Sequence, residues 1–149
     1  QAAITGSNRA HIDHAIAKVA ATGKRRIGMI GLSFKTGTDG LRESPLVLLA
    51  EHFIGKGCSI LVYDPEVHLS NLLGANRRYI EQHLPHIGSL VKNDIATVIA
   101  QSDVLVVGLG DPGVVAALAE HSRPGQTIVD LIHVAGRAAL RGDYVGLRW

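Results

Sequence analysis

The sequence predicts an α/β fold, a doubly wound, mainly parallel sheet with helices on both faces. Apolar runs of strand length alternate with helix-length segments along the whole chain, the pattern of repeated β-α units. The first run, RRIGMIGLSF from Arg25 to Phe34, is too continuously apolar to show one face to water, as expected of a strand covered on both sides. Glycine, proline and small polar residues fall between the runs, where strand-to-helix turns belong.

Taken in order, SNRAHIDHAIAKVAAT from Ser7 reads as an amphipathic helix, with Ile12, Ile16 and Val19 at helical spacing and Gly23 closing it. After the first strand, Ser44 is placed to cap a helix with Pro45 at its first position, and Gly57 ends that helix. CSILVYDP is the second strand. VHLSNLLG and NRRYIEQHL follow as short helical stretches of an insertion closed by Pro85. SLV then reads as a strand, DIATVIAQ as a helix capped by Asn93 or Asp94, SDVLVVG as a strand, PGVVAALAEH as a helix and QTIVDLI as a strand.

With 149 residues, 46% hydrophobic and 19% charged, the chain fits one compact domain that buries roughly 70% of its unfolded surface. Its net charge of +2 is spread from Arg9 to Arg148 without forming a stripe, so no nucleic-acid partner is expected, whereas small anions remain suitable ligands. A single cysteine excludes an intrachain disulfide. No apolar run reaches membrane-spanning length and no signal peptide opens the chain, so the expectation is a cytoplasmic protein with no membrane contact.

The segment with the most chemistry is GLSFKTGTDGLRESP, Gly31 to Pro45, at the carboxyl end of the first strand, where doubly wound sheets hold ligands. Gly37 and Gly40 permit sharp bends, Ser33, Thr36 and Thr38 offer hydroxyls, and Lys35 and Arg42 supply two cations. Charge-assisted contacts of that kind contribute about 1.5–3 kcal/mol each to holding a phosphate. The competing reading is a surface loop tied by an ion pair of Arg42 with Asp39 or Glu43.

A second glycine-rich turn, GLGDPG from Gly108 to Gly113, has the form of a dinucleotide fingerprint, with Asp130 twenty residues beyond Gly110. Asp111 would set a negative side chain beside a pyrophosphate, however, and Pro112 suits an ordinary helix start. The structural reading of this turn is preferred.

GLSFKTGTDGLRESP resembles the signature of the C-terminal domain of the nucleotide-sugar 6-dehydrogenases, the family of UDP-glucose and GDP-mannose dehydrogenases. YDPEV is similar to the family's second strand, and SNRAHID to the end of its inter-domain helix. Within the family, LSFKTGTDGLRESPLV, IGKG, GANRRYIEQHLPHI and the terminal Trp149 are most similar to the GDP-mannose 6-dehydrogenase branch. The stretch LIHVAG after Asp130, where the UDP-glucose branch usually has an arginine directly after the aspartate, points the same way.

The resemblance implies a Rossmann-like domain over residues 24–149 that binds a nucleotide sugar, preceded by the end of a linking helix over 1–23. It implies that Phe34 and Lys35 bind the substrate, GDP-mannose or a related nucleotide sugar, and that Arg42 touches NAD held mainly by another domain. Family enzymes oxidise a sugar C6 alcohol to a carboxylate in two hydride transfers to NAD, through a cysteine adduct. Cys58 matches no nucleophile motif of the family and reads as a small apolar residue. The expectation is therefore a chain that is not catalytic alone, lacks the N-terminal dehydrogenase half and the thiol, and belongs to a homo-oligomeric parent. Asp39-Gly40 stands where the family often has two aspartates, which leaves the second carboxylate without a role here. A free-standing nucleotide-sugar-binding module and an assembly domain stay open as alternatives.

Histidines His11 and His14, one turn apart, and His83 and His86, around Pro85, lack the further ligands that zinc requires and are read as surface residues. No metal is expected. Lys24 to Arg26 read as a solvated strand entrance, and Arg77 and Arg78 as surface cations.

Overall fold

In the computed structural model, residues 6–32, 45–65, 90–134, 136 and 139–147 are described. Five strands form the sheet: β1 (Arg26–Ile30), β2 (Ser59–Tyr63), β3 (Val104–Val107), β4 (Thr127–Asp130) and β5 (Asp143–Gly146). Four helices accompany them: α1 (Gly6–Ala21), α2 (Pro45–Gly55), α3 (Ile95–Ala100) and α4 (Pro112–His121). The strand order is β2-β1-β3-β4-β5, and every pairing is parallel. The chain thus winds outward from β1 to β2, returns across β1 and continues through β3 to β5.

Alternation along the strands divides the core in two. Ile27, Met29, Val104, Val106 and Val129 face one layer with Ala15 and Val19 of α1 and Leu46, Leu49, Ala50 and Phe53 of α2. Ile30, Leu105, Val107 and Ile128 face the other, against Val98 and Ile99 of α3 and Val114 and Leu118 of α4. Helices therefore cover both faces, as the apolar runs predicted, and each fully buried Val, Ile or Leu contributes about 1.5–3 kcal/mol.

The helix ends follow the expected local chemistry. Gly23 and Gly57, both at positive φ, close α1 and α2. Of the two candidate caps for α3, Asp94 is the one used, its carboxylate accepting from the Ala96 amide at 3.1 Å and the Thr97 hydroxyl at 2.8 Å. The Ser44 cap and both helices of the insertion lie outside the described residues.

Three readings change. DYVG, which carries no strand signal of its own, forms β5 at the sheet edge by pairing with β4. SLV contributes only a single bridge, between Val91 and Val62. The entrance Lys24–Arg26 is bound into the structure instead of simply solvated. Lys24 Nζ donates to the Gly125 carbonyl, Arg25 to the carbonyls of Lys56 and Gly57 at 3.1 Å each, and Arg26 to both Asp103 oxygens at 3.0 Å. Among the described residues no helix is long and apolar enough to cross a membrane.

Candidate functional site

The path of the chain reverses between β1 and β3, and at such a switch point the loops leaving adjacent strands diverge and open a crevice at the carboxyl edge. Gly31, directly after β1, adopts φ +105°, a conformation that turns the backbone out of the sheet and that a side chain resists. A Cβ at Gly31 would also lie 2.8 Å from Leu109 Cγ. Its amide donates to the Tyr63 carbonyl at 2.8 Å, and the next amide, of Leu32, donates to Asp64 Oδ2 at 2.7 Å. Leu32 itself is buried in the core, so the exit from β1 is fixed through both backbone and side chain.

Across the switch point, the Gly108 amide donates to the Ile30 carbonyl at 2.8 Å. A Cβ at Gly108 would stand 2.5 Å from Leu46 Cδ1 in the first turn of α2, so glycine lets that helix start approach β3 closely. The described residues that bracket segment 33–44 thus meet this edge, Leu32 just after β1 and Leu46 against Gly108 just after β3. Phe34, Lys35 and Arg42, together with Gly37 and Gly40, lie within it and outside the described residues, as do Arg77, Arg78, His83, His86 and Trp149.

The second glycine turn does not fit a dinucleotide. Asp130, fully buried at the end of β4, accepts from the amides of Ile132 and His133 through Oδ1, at 3.0 and 2.9 Å. Its Oδ2 accepts from the Val134 amide at 2.8 Å and the Tyr144 hydroxyl at 2.7 Å. Four donors fill the acceptor capacity of a carboxylate, leaving none for a ribose hydroxyl. Asp111 caps no amide with its side chain, and a Cβ at Gly110 would meet Ile132 Cδ1 at 2.9 Å, so the turn packs against the loop after β4.

Asp130 also shapes the turn that holds His133, whose φ of 56° is left-handed and whose Nε2 lies 2.8 Å from the Leu147 carbonyl. A carbonyl can only accept, so Nε2 carries the proton in this bond. Sequence reasoning missed this arrangement because its partners lie up to fourteen residues apart; an aspartate closing an apolar strand before LIHVAG was the available signal.

Cys58 lies just before β2, at the opposite end of that strand from Asp64. Five residues at 3.3 Å each put it about 16 Å from the ligand edge. It is half-buried and packs on the core. His14 is exposed on α1, and among the described residues no group of three or more His, Cys, Asp or Glu is placed to hold a metal ion.

A doubly wound parallel sheet whose glycine-bent exit opens at the switch point defines a nucleotide-binding type of domain. The chain belongs to the UDP-glucose/GDP-mannose dehydrogenase family, residues 28–136 matching that family's UDP binding domain. It is 44% identical over 126 residues to the GDP-mannose 6-dehydrogenase of Pseudomonas aeruginosa, covering 85% of this chain and 29% of the relative. With the enzyme of the same name from Pseudomonas syringae pv. syringae it shares 40% over 144 residues, 96% of this chain and 33% of the relative.

The crystal structure of a ternary complex of GDP-mannose dehydrogenase from Pseudomonas aeruginosa superposes with a TM-score of 0.76 at 42% identity, covering 91% of this chain and 32% of that one. A UDP-glucose dehydrogenase from Pyrobaculum islandicum, at 20% identity and a TM-score of 0.66, shares the fold. The chain spans about a third of the length of these relatives.

Proposed function

We propose that this chain is the substrate-binding domain of a cytoplasmic, NAD-dependent GDP-mannose 6-dehydrogenase, with residues 1–23 ending an inter-domain helix and 24–149 forming the domain. The observation that carries the reading is that the described residues on either side of segment 33–44 stand at the switch point, Leu32 just after β1 and Leu46 against Gly108 just after β3. Among the described residues Asp64, Asp111 and Asp130 lie at or just beyond the carboxyl ends of β2, β3 and β4, so an anionic ligand there calls for cations from elsewhere. Lys35 and Arg42 are the cations that the segment brings. Lys35 pairs with a phosphate or sugar oxygen, Phe34 packs on the substrate, and Arg42 reaches NAD held by another domain.

NAD, when bound there, supplies the hydride acceptor. The residues of this chain bind and orient the sugar nucleotide. Cys58, at the far end of β2, does not serve as the nucleophile, so the chain alone does not turn over.

Calorimetric titration with GDP-mannose, GDP, UDP-glucose and NAD tests the reading. The expected outcome is binding of GDP-mannose, weaker binding of UDP-glucose and none of NAD, with Lys35→Ala weakening GDP-mannose by about 10- to 100-fold. Tight NAD binding that Gly110→Ala abolishes, or no affinity for any guanosine or uridine sugar, overturns it.

A further inference from the structure

We draw no further inference here: the strongest candidate, the basic surface patch of Lys24, Arg25, Arg26 and Arg123 at the amino edge of the sheet, is engaged by the chain's own turn carbonyls and by Asp103, and nothing in the structure shows what would cover it.

Discussion

Arg26 and Asp103 join the entrances of β1 and β3 through a two-pronged contact, with side chains 56% and 32% exposed. The hydrogen bond from Arg26 holds the Asp103 carboxyl below its usual range, reinforced by the nearby charges of Arg26, Arg123 and Lys24 and opposed by partial burial. Because the folded-state value is the lower one, the stabilisation is complete above the unfolded-state value near 4 and disappears as pH falls through the folded one. Unfolding midpoints of wild type and Asp103→Asn should therefore differ slightly at pH 7 and converge as pH falls through the folded-state value. The difference at pH 7 should also shrink in about 1 M salt, where charges are screened within about 3 Å.

Residue types alone showed that Lys24–Arg26 lie at a strand entrance, but their partners sit 31 to 103 residues away in sequence, which no local pattern encodes. The same holds for Asp64. Its place in the YDP stretch was visible, whereas its bond to Leu32 exists only once β1 and β2 lie side by side.

At the scale of elements, β1, β3 and β4 were legible because burial on both faces demands runs such as IGMI and VLVV, and the edge strand β2 because SILVY is itself an apolar run. β5, at the other edge, was not, since Asp143 and Gly146 are exposed and Tyr144 and Val145 only partly buried, so DYVG carries no such run. Pairing with β4 and the Tyr144 hydroxyl on Asp130 hold it. Tyr144→Phe should accordingly destabilise the chain by about 1–3 kcal/mol in urea unfolding, as a buried carboxylate loses one of its donors. A cost indistinguishable from zero would mean that this bond does not anchor the strand.

The candidate segment stood out in the sequence through its glycines and cations, and its expected place at a strand end came from the fold class. The switch-point geometry that frames it came only from the strand order.

For the whole molecule, α1 is part of the fold it precedes: Ile12 is 1% exposed, and Ala15 and Val19 are fully buried, the last two in the same layer as β1, β3 and α2. Deleting residues 1–22 should cost about 3–6 kcal/mol, from losing one buried isoleucine and one buried valine, and should uncover apolar surface that binds a hydrophobic dye. An unchanged melting temperature would show the helix to be an appendage.

The close seating of α1 has a mechanical consequence. A helix packed this firmly transmits torque without slack, so any body attached ahead of it swings the ligand edge as the far end of a rigid lever. Reorientation between such bodies would then require flexure upstream of Ile12, not at Gly23.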